Sequence, residues 1–409
     1  MIDYLKNLLK QDKIRNFLYF SSASFISAFI GVITLKAFTN YMPPEEFGLW
    51  TFALTFNSFA AAFIILDLHS YFLIEVSKDT FDKRRLLSSL LSFSFLWSII
   101  SSVLFLGIGF VSFHHIFEKI DFFPYIFYII LSNLFMGFGQ FLLIVYRVEN
   151  KPRSYFVYSI FQSTLAIFTS LLVVVYFLHD AHGRVLGYSA GMLFSGIIAG
   201  FVLWRFHGFR FQIDREIMRK ALKFSAPLIP YTIATLGIDF LDRVFVEEYC
   251  TMNELGLFGL ASQLNMIIYF VFISLVRVYE PSVIRWVNQQ EYGHQIAFFN
   301  KYNLLLVIAT IGLMLVSGLL VFQLTNARYA GSADLVIRLS PFFYLKTISL
   351  LLLTMLISGY KTFKALYISL IMLVLYVIAG FVIIPDYGIN GMILVKTIVM
   401  AIGECPDLF

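Results

Sequence analysis

Apolar residues in this chain run almost unbroken for about 20 positions at a time, and polar residues gather in the gaps between runs. The runs fall at about 17–38, 46–68, 86–111, 123–146, 154–178, 185–204, 224–246, 254–276, 302–322, 335–358, 365–384 and 389–403. A helix needs roughly 20 apolar residues to cross a hydrocarbon core of about 30 Å. All but the last run reach that length, and the last does so only if it extends to Pro406. Runs that are apolar on every side suit helices in lipid, where each backbone polar group must be satisfied within its own segment. The pattern therefore predicts an all-α polytopic membrane protein of about twelve transmembrane helices. Before the first run, Lys6, Lys10, Lys13 and Arg15 alternate with Leu5, Leu8, Leu9 and Ile14, which suits a short helix lying on the membrane surface. The apolar run that follows is long and has no small-residue cleavage site, so it reads as a retained helix and not as a signal peptide.

The runs form two sets of six. The stretch YMPPEEFGLWTF at 41–52 returns as YCTMNELGLFGL at 249–260, a shift of 208 positions. At that shift Tyr41, Glu46, Gly48, Leu49, Ala53 and Asn57 meet Tyr249, Glu254, Gly256, Leu257, Ala261 and Asn265. Such a repeat divides the chain into an N-terminal lobe at 1–204, a polar linker at 205–223 and a C-terminal lobe at 224–409.

Charge sets the orientation. Charged residues make up 13% of the chain and apolar types 59%, with 47 Phe and 23 Tyr. So few charges cannot cover a water-exposed surface. With the N-terminus inside, the inward segments collect most of the Lys and Arg, including Lys83, Arg84, Arg85, Lys151 and the Arg205–Lys223 linker. The outward loops hold only Lys119, Arg184, Arg328 and Arg338. Both termini are then cytoplasmic, and the two six-helix lobes are parallel repeats about an axis along the membrane normal. The +5 net charge reflects this topology and does not suggest nucleic acid. Cys250 and Cys405 fall on opposite faces, which excludes a disulfide framework.

PPEEFG at 43–48, DFLDR at 239–243, SAPLIP at 225–230, HGRVLGY at 182–188, NARYAGSADLVIRL at 326–339 and IPDYGINGM at 384–392 occur in an order that resembles one family. It is the Wzx-type O-antigen and polysaccharide flippase branch of the multidrug/oligosaccharidyl-lipid/polysaccharide exporter superfamily. The resemblance covers nearly the whole chain. It implies two six-helix bundles around a central cavity in the bacterial inner membrane, and translocation of undecaprenyl-pyrophosphate-linked oligosaccharide. Other polysaccharide-assembly proteins are its implied partners, alongside membrane lipid, and no cofactor is implied.

Ionisable groups within the spans are the candidate site, because each costs about 2.5–3.5 kcal/mol at a helix centre. Lys346 and Lys396 lie furthest from span ends and have no acid at helical spacing in their own spans. Lys36 and Arg243 lie near outer ends at almost equivalent repeat positions, and Arg277 and His69 form a second equivalent pair toward the inner side. A pyrophosphate crossing a low-dielectric interior requires fixed cations of this kind. Rival readings stand beside this one. Lys36 can snorkel to the headgroups, and Arg243 can pair with Asp239 one turn earlier. Asp67, Asp239 and Asp242 can serve ion coupling or simply neutralise the cations.

GYSAG at 187–191 matches the serine-hydrolase pattern but lacks its strand–turn–helix context. Gly183, Gly187, Gly191, Ser195 and Ala199 instead form a small-residue ridge for helix packing. His179, Asp180 and His182, or His114 and His115, are too few to make a metal site and read as solvated loop residues. A polysaccharide polymerase or glycosyltransferase would carry its chemistry on a sizeable loop, whereas the outward loops here are short, so an enzyme is not expected. A cation-coupled drug exporter of the same superfamily would favour carboxylates and aromatics. The spans hold Lys36, Arg243, Lys346 and Lys396 against Asp67, Asp239 and Asp242, which leans toward an anionic ligand.

Overall fold

The computed structural model describes residues 22, 26–27, 29–66, 68–76, 82–226, 228–358 and 362–403. Among these residues there is no strand. In chain order the α-helices are α1 (Leu35–Tyr41), α2 (Pro44–Ile65), α3 (Leu68–Val76), α4 (Lys83–Ile116), α5 (Phe127–Asn133), α6 (Met136–Val148) and α7 (Pro152–Tyr176). They continue as α8 (Ala181–Phe206), α9 (Arg215–Ser225), α10 (Leu228–Tyr249), α11 (Met252–Asn288), α12 (Tyr292–Leu324), α13 (Ser332–Ser358) and α14 (Thr362–Gly403). Among the described residues nine helices are long and apolar enough to cross a membrane, or ten if α9 and α10, bent by 47°, count as one broken span. The N-terminal surface helix and residues 17–21, 23–25 and 28 of the first expected run lie outside the described residues.

The second to tenth apolar runs each coincide with helix, and the eleventh and twelfth share α14. That helix is interrupted at Gly388, whose φ of 55° and ψ of −137° are open only to glycine, three residues after Pro385. The break falls between the two expected spans. The fourth run is broken at Leu134–Phe135, between α5 and α6. α11 and α12 continue well past their apolar runs. At about 1.5 Å per residue the 37 residues of α11 reach about 55 Å, so polar segment 277–301 is mostly helix and not loop.

The chain divides into two compact units, residues 1–27 with 52–236, and 28–51 with 237–409. In the first unit the small-residue ridge of α8 lies against α7. A Cβ at Gly187 would sit 2.5 Å from the Ser170 Cα, and one at Gly191 would sit 2.6 Å from the Ala166 Cα. At this close approach Thr169 donates to the Gly187 carbonyl (2.7 Å) and Tyr158 to the Ser195 carbonyl (3.1 Å). The polar linker packs here as well. Backbone N–H groups of Arg210, Gln212 and Asp214 donate to Ser88, Ser92 and Ser89 on α4 at 3.0, 3.1 and 2.8 Å. Asp214 then caps α9, accepting from Glu216 and Ile217. Its carboxyl is held below the ordinary carboxylate range by the Arg85 guanidinium. Ile217, Met218 and Ala221 turn the apolar face of α9 onto a core that includes Leu86, Leu90, Phe141 and Val145.

In the second unit the two copies of the repeat meet. A Cβ at Gly48 would lie 2.7 Å from the Met252 carbonyl oxygen, and one at Gly256 would lie 1.8 Å from that of Pro44. Glu45 accepts from Asn253 (2.9 Å), and Thr251 with Glu254 forms a capping box at the start of α11. The NARYAG motif closes the same region. Asn326 N–H donates to Thr39 Oγ1 (3.1 Å), and the fully buried Tyr329 donates to the Met42 carbonyl (2.9 Å). Further along, Asn265 on α11 donates to the Val336 carbonyl and accepts from Ser340, joining α11 to α13. Phe110, Leu315 and Phe322, more than three-quarters exposed, mark helix faces that suit lipid.

Candidate functional site

Three residues on one turn of α10 begin the site. Asp239, Asp242 and Arg243 stand at i, i+3 and i+4, a spacing that puts them on one helical face. α13 brings Lys346 to this face and α14 brings Lys396. Lys346 Nζ donates to Asp239 Oδ2 at 2.7 Å, and Lys396 Nζ reaches Asp239 Oδ1 at 3.1 Å. Lys396 also pairs with Asp242 Oδ2, whose other oxygen accepts from the Tyr376 hydroxyl. Arg243 completes the cluster with a looser ion pair to Asp242, at 3.5 Å.

The cluster has a closed half and an open half. The Lys396 and Asp242 side chains are 4% and 0% exposed, and Tyr376 is fully buried. Lys346 and Asp239 are 20% and 27% exposed. Aromatic rings surround the cations. Lys396 Nζ lies 4.3 Å from the Phe342 ring centroid, Lys346 Nζ 5.8 Å from that of Tyr269, and the Arg243 guanidinium 4.8 Å from that of Phe258. Buried charges persist only when paired and hydrogen-bonded. Both lysines meet that condition. Arg243 meets it in part, because its buried Nε has no hydrogen-bond partner among the described residues. Three cations and two carboxylates are thus linked by direct contacts, and the least satisfied charge is a cation.

Of the residues singled out in the sequence, Lys346, Lys396, Arg243, Asp239 and Asp242 come together. The expected pair between Arg243 and Asp239 is replaced, because both Asp239 oxygens are taken by lysines and Arg243 turns to Asp242. Lys36 is committed elsewhere, donating to the Thr325 carbonyl at 2.9 Å. His69 is a partly buried residue of α3 in the other unit. The Arg277 side chain and Asp67 lie outside the described residues. Tyr376 was not foreseen, since one tyrosine among 23 carries no local spacing signal. In the GYSAG stretch Ser189 sits buried mid-helix in α8, while His182 stacks on Tyr128 with ring centroids 5.6 Å apart.

Outside the spans, Glu149 between α6 and α7 gathers Lys83 (2.9 Å), Lys151 (2.8 Å) and His207 (3.1 Å). Partial burial pushes its carboxyl up, but the hydrogen bonds from Lys151 and Lys83 outweigh this and hold it at about 2.

Residues 14–286 match the family described as polysaccharide biosynthesis protein. No curated protein matches the sequence. Among solved structures, the fold is similar to that of the lipid II flippase MurJ in an inward closed conformation. The TM-score is 0.76 at 14% identity, covering 94% of this chain and 85% of that one. It is also similar to an inward-facing multidrug resistance MATE family transporter of the MOP superfamily, with TM-score 0.70, 12% identity and coverage of 95% and 92%. The Vibrio cholerae MATE transporter VcmN in its bent form gives 0.57 at 11% identity, covering 95% and 94%. At these identities the likenesses establish the fold, and the family match extends over two-thirds of the sequence. The chain is a multi-pass, all-helical membrane protein with a MurJ- and MATE-like fold, and it belongs to the polysaccharide biosynthesis protein family.

Proposed function

We propose that the protein is a flippase that carries undecaprenyl-pyrophosphate-linked oligosaccharide, an O-antigen or similar repeat unit, across the bacterial inner membrane by alternating access. Both termini are cytoplasmic in this reading. The observation that carries it is the Lys346–Lys396–Arg243 cluster, where cations outnumber the carboxylates they touch. Three cations gathered at one interior site suit a phosphate-bearing ligand. The family match, and the name of the lipid II flippase that shares the fold, support the same class of cargo. The residues at the site have the character of a binding surface, and no chemical step is needed to explain them.

A drug exporter for organic cations is the second reading, favoured by the rings of Phe258, Tyr269, Phe342 and Phe343 near the cluster. Its weakness is that Asp239 and Asp242 are already engaged by lysines. The test is complementation of a flippase-deficient strain, with protein level measured in parallel. The Lys346→Ala, Lys396→Ala double variant should fail to restore surface polysaccharide. Normal polysaccharide from that variant sinks the flippase reading, and protection against cationic drugs in its place favours the exporter.

A further inference from the structure

Asp239 differs from Asp242, the other carboxylate of the site, in three ways. It contacts two ammonium groups, at 2.7 and 3.1 Å, and those groups come from different helices, α13 and α14. It belongs to the open half of the cluster, 27% exposed against 0% for Asp242. Among the described residues it also has no hydrogen-bonded tyrosine, whereas Asp242 is held by Tyr376 as well as Lys396. Each of its two oxygens faces a different lysine. A phosphate offers two oxygens in the same way, with the same hydrogen-bonding demand and a larger charge.

We propose that Asp239 is a resident counter-anion, which holds Lys346 and Lys396 until the ligand's phosphate displaces it. The inference rests on the anionic-lipid reading above and adds how that site loads and unloads. On displacement Lys396 keeps its second partner, Asp242, so the closed half stays neutralised and packed. Lys346 has no second carboxylate among the described residues and passes wholly to the ligand. Arg243, with a 3.5 Å ion pair and an unpartnered buried Nε, supplies the charge that one carboxylate leaves unbalanced. A ligand with two or more negative charges therefore competes favourably with the single charge of Asp239. Without Asp239, Asp242 alone would face three cations, and a bound pyrophosphate would be held more tightly and leave more slowly. A carboxylate tethered to α10 at fixed distance competes for the same ammonium groups and returns them to the empty state. Asp239 is thus a release element, and its loss should tighten binding while slowing turnover.

The test uses the full chain in detergent, with geranyl pyrophosphate as a soluble isoprenoid pyrophosphate and geraniol as its phosphate-free control, titrated calorimetrically. Asp239→Asn should bind geranyl pyrophosphate about tenfold more tightly than the natural protein, and Lys346→Ala about tenfold more weakly, the scale of one charge-assisted hydrogen bond. In reconstituted vesicles Asp239→Asn should flip a fluorescent undecaprenyl-pyrophosphate glycolipid more slowly. Selective binding of geranyl pyrophosphate by the natural protein, with unchanged or weaker binding by folded Asp239→Asn, overturns this proposal and leaves the anionic reading standing. Equal binding of geraniol and geranyl pyrophosphate, or no binding of either, overturns both. Should Asp239→Asn unfold, the comparison moves to Asp239→Asn with Arg243→Gln against Arg243→Gln alone. The double variant holds fewer unpaired charges, and the same tightening is required.

Discussion

Lys346 and Lys396 share Asp239, yet the two should respond differently when removed. Lys396→Ala strands Asp242, which is 0% exposed and would be left with Tyr376 and the loose contact to Arg243. Breaking a buried pair in this way costs about 3–5 kcal/mol. Lys346→Ala removes a partner from a half-buried carboxylate that keeps Lys396, so its penalty should be smaller than that of Lys396→Ala. Thermal unfolding in detergent should therefore show a marked fall for Lys396→Ala and a smaller one for Lys346→Ala, while both variants lose polysaccharide export. Equal melting temperatures would refute the division into a closed and an open half. Part of this was legible in the sequence. Asp239, Asp242 and Arg243 announce a shared face by spacing, and charges within apolar runs are conspicuous. The partners of the lysines were not legible, because Lys346 lies 107 residues and Lys396 157 residues beyond Asp239. Such pairs are set by packing, which local periodicity does not report.

At the scale of elements, hydropathy located the lipid-facing stretches and missed where helices start and stop. α11 and α12 run on past their apolar segments because a backbone helix needs no lipid to continue. α2 ends at Ile65 because Leu66 adopts a φ of 56°, which no composition signal marks. The linker looked merely polar, yet its N–H groups find the serines of α4 and α9 docks through one apolar face. Two glycines separate close packing from open space. Gly256→Ala must push the Pro44 carbonyl away from α11, an overpacking penalty of about 1–3 kcal/mol. Gly312 in α12 has nothing within 4 Å of a new Cβ, so Gly312→Ala should stabilise by about 0.4–1 kcal/mol through helix propensity. Opposite shifts in melting temperature are expected, and a destabilised Gly312→Ala would contradict the packing described. The Glu149 knot between α6 and α7 adds a pH dependence. Its folded-state pKa, about 2, lies below the ordinary 4.5, so the ionised form is the one that stabilises. That contribution is complete above pH about 4.5 and is lost as the pH falls toward 2. Glu149→Gln should therefore lower the melting temperature at pH 7, with the difference from the natural protein narrowing between about pH 4.5 and 3. A gap that stays constant through this range would show that the charge of Glu149 is not what holds Lys83 and Lys151.

For the whole molecule, the 208-residue repeat says more than any single motif, because its two copies meet in the second unit. Gly48 lies against Met252 and Gly256 against Pro44, so each copy uses its glycine to admit the backbone of the other. The NARYAG segment then fastens the α1–α2 turn through Thr39 and Met42. This reciprocal contact suits the proposed pair of parallel halves, the arrangement expected from the charge bias of the loops. Alternating access requires some contact of this kind to open and reform once per cycle, and hydrogen bonds between polar side chains at helix starts are cheap to exchange for water. Glu45 and Asn253 are such a pair, 2.9 Å apart, on the two helix starts that carry the repeat. Replacing them as Glu45→Cys and Asn253→Cys removes a single exposed hydrogen bond, so the reduced double variant should fold and export polysaccharide at close to the natural level. Bridging the two thiols with a short bifunctional reagent whose own disulfide can be reduced would tie α2 to α11 by a link that the cycle cannot break. Export should then stop, and a reductant should restore it. A cross-linked protein that still transports at full rate would mean that the two repeat copies stay together throughout the cycle and that the opening lies elsewhere.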